Sequence, residues 1–184
     1  MKEKKDRCKG GLIITISGLI GSGKTTLAKA LAERLNLKHI PAGKVFREMA
    51  KERGLSLQEF SKLAERDKSF DRLVDERQKE LAKQGNVVID GRLSGWLIDA
   101  DLKIWLKASL EERAKRVAKR ENKDYETALR ETKEREKSEL KRYKEIYDID
   151  LNDLSPYDFI INTELWDAEV IVDVLENLVE NMRI

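Results

Sequence analysis

The sequence predicts an α/β fold: a five-stranded parallel sheet with helices packed on both faces. Three observations lead there. Short apolar runs rich in β-branched residues alternate with long helical patterns, as βαβ units require. The first of these runs is followed at once by a glycine-rich segment that opens a helix. No linker-like stretch interrupts the 184 residues, whose only prolines are Pro41 and Pro156, so residues 1–184 are expected to form a single domain.

The elements follow in order. Residues 1–10 are mostly charged, lack the apolar core of a signal peptide and read as a flexible leader. Leu12 to Ile16 is a buried strand, and Gly18 to Gly23 a glycine-rich turn. A helix from about Thr25 to Leu35 sets Leu27, Ala28, Leu31 and Leu35 on one stripe. His39-Ile40 is a short second strand. Residues 43–84 form an all-helical insertion, broken at Gly54 and near Asp67–Ser69. Ser56, with Glu59 three positions later, is a capping box opening its middle helix. Asn86–Asp90, Leu102–Leu106 and Phe159–Ile161 are the remaining strands, and a closing helix carries Val170, Val174, Leu175 and Leu178. Residues 121–148 stand apart: from Arg130 to Glu139 no large apolar residue occurs. A helix there is polar all round and has no face to bury, so it is either unstable alone or bridges solvent between moving parts.

Composition removes several classes of function. Charged residues make up 39% of the chain, but 37 Lys+Arg against 35 Asp+Glu leave a formal charge of only +2. That balance, without an aromatic–basic platform, argues against nucleic acid as a partner. No apolar run is long enough to cross a membrane. Cys8 is the only cysteine and His39 the only histidine, so no internal disulfide and no Cys/His zinc set can form. A reduced, cytoplasmic setting and a monomer working on small molecules are expected.

Gly18-Leu19-Ile20-Gly21-Ser22-Gly23-Lys24-Thr25 fits G-x-x-x-x-G-K-[ST] between a strand and a helix, the context a phosphate-binding loop needs. Its glycines let backbone N–H groups close on phosphate oxygens, and the helix N-terminus adds partial positive charge. Gly18, Gly21, Ser22, Gly23, Lys24, Thr25 and Thr26 are therefore candidates for binding ATP. Lys24 would neutralise its β- and γ-phosphates. Thr25 would offer a hydroxyl to Mg²⁺, and Asp90, closing the third strand, would reach the ion through water. A GTP switch is excluded, because the nearest guanine-specifying candidate, Asn122-Lys123-Asp124-Tyr125, ends in tyrosine.

Arginines recur at positions suited to phosphate. Arg47 lies one turn into a helix after Ala42-Gly43, and Arg92 follows Asp90-Gly91. Arg113, Arg116 and Arg120 share one helix face, while Arg135 and Arg142 flank Glu139. Guanidinium forks bind phosphate oxygens bidentately and stay charged at any working pH. With A-G-x-x-F-R, D-G-R and the segment Arg135 to Arg142 in place, the chain resembles the nucleoside monophosphate kinases. More narrowly, it is similar to the archaeal-type cytidylate kinases. It departs from the bacterial cytidylate kinases at Leu93, where they carry aspartate directly after D-G-R, and Pro41 stands where a small polar residue is common.

The resemblance implies a P-loop NTPase-type fold with a helical NMP-binding insertion (residues 43–84) and a lid (121–148). It implies transfer of the ATP γ-phosphoryl group to CMP, and to dCMP as well. Lys24, Arg92, Arg135 and Arg142 are the expected catalytic residues, and Arg116 joins the ATP-binding set. Gly43, Arg47, Asp71, Arg72, Asp75 and Arg92 are expected to bind the acceptor. Asp71 and Asp75 lie one helical turn apart, and Asp71 is chosen as the acceptor for the cytosine amine. Kinases for AMP or UMP, and an ATP-dependent switch protein, stay open as alternatives.

Overall fold

The computed structural model describes residues 11–182; the expected leader lies outside them. Strand β1 (Ile13–Gly18) leads through the glycine loop into helix α1 (Lys24–Arg34), and β2 (Lys38–Pro41) into α2 (Ala42–Glu52), α3 (Leu57–Arg66) and α4 (Ser69–Ala82). Next come β3 (Val87–Asp90), a short α5 (Ser94–Leu97), β4 (Leu102–Lys107), α6 (Leu110–Glu121) and α7 (Tyr125–Tyr147). Strand β5 (Phe159–Asn162) and helix α8 (Ala168–Glu180) close the chain. The strands form one parallel sheet in the order β2-β3-β1-β4-β5. Only α5 was not expected.

Central strand β1 has apolar residues on both faces because both are covered. Ile14 and Ile16, with Val88, Ile104 and Leu106 of the neighbouring strands, pack against Leu27, Ala28 and Leu31 of α1 and Ile171 and Leu175 of α8. On the opposite face Val87 and Ile89 meet Ala82 and Ile98, while Trp105 meets Leu93, Tyr143 and Tyr157. Sheet register then fixes the site. Ile16 pairs with Asp90, and Pro41 with Asp90, so the glycine loop, Asp90 and the start of α2 emerge at one carboxyl edge. Strand order reverses at β1, with β3 on one side and β4 on the other, and connections diverging there open a crevice.

The insertion has its own apolar centre. Phe60 is fully buried and packs on Phe46 and Phe70 with ring centroids 4.8 and 5.1 Å apart, beside Met49, Ala50 and Val74. Helix α3 starts as expected: Ser56 Oγ accepts from Glu59 N (3.2 Å), and Ser56 N donates to Glu59 Oε2 (2.8 Å).

Helix α7 corrects an expectation. It is one 23-residue helix, opened by Asp124, whose Oδ1 accepts from Thr127 N at 2.9 Å. Despite lacking large apolar residues between 130 and 139, it buries a face, made of Thr132, Arg135, Ser138, Glu139, Arg142 and Tyr143. Its polar residues find charged partners, Glu139 in Arg92 after β3, Arg142 in Asp71 of α4 and Arg135 in Glu121 of α6, while Ala128 and Tyr143 join apolar clusters.

Candidate functional site

At the carboxyl edge of the sheet, Gly18–Thr25 turns from β1 into α1. Gly21 has φ +79°, and a Cβ there would stand 2.5 Å from the Arg113 carbonyl oxygen, so only glycine fits beneath α6. Gly23, the N-cap of α1, has φ +91° and no side-chain cap, so the first-turn N–H groups are left to a ligand. Lys24 Nζ folds back on its own loop, donating to Leu19 O (2.7 Å) and Ser22 Oγ (3.4 Å). Burial, and after it the nearby Arg92 charge, hold its ammonium well below the usual lysine range. Thr25 and Thr26 are exposed at the mouth.

Two hollows meet at this loop. One, of about 840 Å³, lies between the loop, the insertion and α7. It is lined by six cationic side chains, Lys24, Arg47, Arg92, Arg120, Arg135 and Arg142, and by Asp71, Asp75, Asp90 and Glu139. The other, of about 1270 Å³, runs over the loop past Thr26 and Arg116. They share Lys24, Thr25, Arg47 and Arg120.

Arg116 braces the second hollow. Its guanidinium donates to Glu112 (2.9 Å) and to the hydroxyl and carbonyl of Thr163 (2.8 Å each), and the Thr163 hydroxyl donates to Ser22 O (3.1 Å). The turn after β5 is thus tied to the phosphate loop. Arg113, on the same face of α6, is structural: it is buried and bonds Ala108 O, Ile20 O and Glu136.

On the other side, Arg47 reaches past Gly43 and forms no ion pair among the described residues. Arg92 is bonded to Glu139 of α7. Burial alone would raise the Glu139 carboxyl, but Arg92, Arg135 and Arg142 together hold it below the ordinary range. Glu139 is therefore the anionic hub that keeps three guanidiniums in one volume. Among the described residues Arg135 bonds only Glu121, at 3.5 Å, and its Nε has no partner, so it keeps donors to spare.

Three expectations change here. Arg142 does not face the cleft as a free cation. It is 2% exposed and donates to Asp71 Oδ2 (2.6 Å), Asp71 Oδ1 (3.5 Å) and Ser138 Oγ (2.6 Å). Asp71, chosen as acceptor for a base amine, lines the cleft but has both oxygens on Arg142. Arg72, one position along, is exposed and outside the cleft lining, because a single residue turns the side chain about 100° round the helix.

Asp75 does face the cleft, where its Oδ2 accepts from Tyr147 Oη (2.8 Å) and its Oδ1 from Gln78 Nε2 (3.1 Å). Burial pushes its carboxyl up to about 7, and Asp71 adds to the rise against the Tyr147 hydrogen bond. Sequence reasoning missed Gln78, which lies one turn beyond Asp75, and left Arg120 outside the site although it shares a helix face with Arg116. It also used His39 only to exclude zinc. His39 Nε2 donates to Asp90 Oδ2 at 2.8 Å, because β2 runs beside β3.

The residues present fit a magnesium ion. Thr25 and Asp90 are hard oxygen donors beside the loop, and no group of three or more His, Cys, Asp or Glu converges among the described residues. An ion held by one or two protein oxygens and completed by phosphates is the arrangement Mg²⁺ favours.

Comparison with known proteins places this geometry. The family model of the cytidylate kinase-like family matches residues 13–165. The cytidylate kinase of Methanocaldococcus jannaschii is 55% identical over 177 residues, covering 94% of this chain and 99% of that protein. That of Pyrococcus horikoshii is 53% identical over 175 residues, covering 95% and 91%. Among solved structures, a shikimate kinase from Bacteroides thetaiotaomicron superposes with a TM-score of 0.60 at 21% identity, covering 92% of this chain and 98% of that one. Deoxyadenosine kinase from M. mycoides reaches 0.56 at 15% identity, covering 93% and 100%. At such identities these two structures share the fold.

Proposed function

Because the chain belongs to the cytidylate kinase-like family, we propose that it transfers the γ-phosphoryl group of ATP to CMP, and to dCMP, giving ADP and the diphosphate. One observation carries this reading. Six cations, Lys24, Arg47, Arg92, Arg120, Arg135 and Arg142, line the first hollow, and Lys24, Arg47 and Arg120 carry that positive charge across into the second. Two nucleotides placed phosphate to phosphate would use it.

The attacking group is an oxygen of the acceptor phosphate, already anionic, so no general base is required. A bond forms between that oxygen and the γ-phosphorus as the bond from the γ-phosphorus to the β-bridging oxygen breaks, with the charge leaving on ADP. The protein contributes positioning and charge neutralisation. Lys24 and the N–H groups of the loop hold the donor phosphates, and Arg116 borders its nucleoside end. Arg47 and Arg92 hold the acceptor phosphate. Arg135 and Arg120 neutralise the group in transit, and Arg142 supports them from α7. Phosphate oxygens approaching Lys24 oppose the lowering that burial imposes on its ammonium.

Thr25 directly, and Asp90 through water, would hold Mg²⁺, which when bound would neutralise charge on the phosphates. His39 holds one oxygen of the Asp90 carboxylate and leaves the other for this task. In this reading residues 43–84 are the acceptor-binding insertion and 121–148 the lid, whose closure keeps water from the phosphoryl group. Among the described residues no helix is long and apolar enough to cross a membrane, and both substrates are small molecules.

The test is a phosphoryl-transfer screen with ATP against the common ribo- and deoxyribonucleoside monophosphates. ADP formation should depend on CMP or dCMP. Equal or greater turnover with AMP or UMP would reassign the substrate, and slow hydrolysis indifferent to monophosphate would identify an ATP switch.

A further inference from the structure

The cleft contains one buried acceptor with nothing to accept from. Gln78 of α4 is 5% exposed and lines the hollow beside Val74 and Asp75. Its Nε2 donates to Asp75 Oδ1 (3.1 Å) and Val74 O (3.4 Å), but its Oε1 has no hydrogen-bond partner among the described residues. A buried carbonyl without a donor costs roughly 1–3 kcal/mol, so such a group calls for an explanation.

The orientation of this amide is not arbitrary. At pH 8, above the pKa of about 7 to which burial raises Asp75, its carboxylate and the Val74 carbonyl can only accept, so the –NH₂ end must face them. The carbonyl end is thereby turned the other way, over Gly91. A Cβ on Gly91 would lie 2.5 Å from Oε1 and 3.1 Å from the Ala42 methyl, so the carbonyl occupies space that only glycine leaves. It stands between Asp90-Gly91-Arg92, on the acceptor-phosphate side, and the first turn of α2. Asp75 is itself braced from α7 by the Tyr147 hydroxyl (2.8 Å).

Resting on the acceptor assignment above, we infer that Gln78 reads the acceptor base through its carbonyl oxygen, and that Asp75 is the positioning residue that fixes the amide so that only this oxygen faces the base. A free amide cannot tell cytosine from uracil, since by turning over it offers a donor or an acceptor with equal ease. A locked one can. Cytosine carries an amine at C4 that donates to Oε1, while uracil carries a carbonyl there and sets oxygen against oxygen. Asp71 is committed to Arg142 and is not available for this task.

The experiment compares kcat/KM for CMP and UMP, with ATP at pH 8, in the wild type, Q78L and D75N. If the wild type does not phosphorylate CMP, it is the functional reading that fails. If it does, Q78L should lower kcat/KM for CMP about 10- to 100-fold, as for loss of one buried hydrogen bond, and leave UMP nearly unchanged. D75N, whose side-chain amide can donate to Gln78 and let it turn over, should raise UMP and lower CMP. A fall of the CMP:UMP ratio in both variants supports the inference. A wild-type ratio in either overturns it, as does an equal loss for both substrates, which would mark a merely structural role. Should Q78L fail to fold, Q78N, which withdraws the carbonyl by one methylene, takes its place on the same criterion.

Discussion

Asparagine in place of Asp75 is expected to flatten the dependence of folding stability on pH, by an amount that the burial of this carboxyl sets. In the fold its pKa lies at about 7, against 3.8 for the free side chain. At about 1.4 kcal/mol per pH unit, that displacement amounts to roughly 4 kcal/mol. The folded state holds its proton more tightly than the unfolded chain does. Between pH 4 and pH 7 the native carboxyl is therefore neutral while the unfolded one is ionised, and stability falls as pH rises through this window. Above pH 7 both states are ionised and the site no longer contributes a slope. D75N has nothing to titrate. Relative to the wild type it should be about equally stable at pH 4 and more stable by up to about 4 kcal/mol at pH 8. Urea unfolding of both proteins at half-unit intervals from pH 4 to 8 measures the difference directly. A difference that stays constant across the range would show that Asp75 ionises in the fold as it does in water, and the reasoning from burial would be refuted.

Other consequences follow from the same geometry. Lys24→Ala should nearly abolish phosphoryl transfer with the fold intact by circular dichroism, since no other ammonium among the described residues lines either hollow; near-wild-type turnover would contradict the role given to it. Arg135→Ala should lower kcat by about one to three orders of magnitude with little change in KM, whereas an unchanged kcat with a raised KM would make it a ground-state binding residue. Arg142→Ala should in addition destabilise the protein by about 3–5 kcal/mol in denaturant unfolding, because it strands the buried Asp71 carboxylate. Ser56→Ala, which removes the cap of α3, should cost about 1 kcal/mol and leave kcat untouched.

What the chain made legible by itself was whatever neighbouring residues decide together. The glycine loop is eight consecutive residues between an apolar run and a helical stripe, and its backbone geometry follows from where the glycines stand. The capping box of α3 is a local match of hydroxyl and carboxylate, and it formed as read. Strands β1, β3 and β4 announced themselves because burial on both faces demands mostly apolar runs.

Tertiary structure alone decided the pairings. Arg142 looked like a free phosphate ligand until the fold set Asp71, 71 positions away, 2.6 Å from it. His39 gained a role only because β2 runs beside β3 and brings Asp90 within 2.8 Å. Helix α7 looked unable to bury a face because its apolar residues were counted, yet charge partners from α4 and after β3 gave its polar face somewhere to go. Phe159–Ile161 read as a fifth strand and β5 forms there, but that it lies at the sheet edge with Phe159 and Ile160 exposed was set by strand order and not by composition. In each case the deciding free energy lies between groups far apart in sequence. A local pattern fixes which chemistry a side chain can offer, and the fold fixes which partner has already taken it.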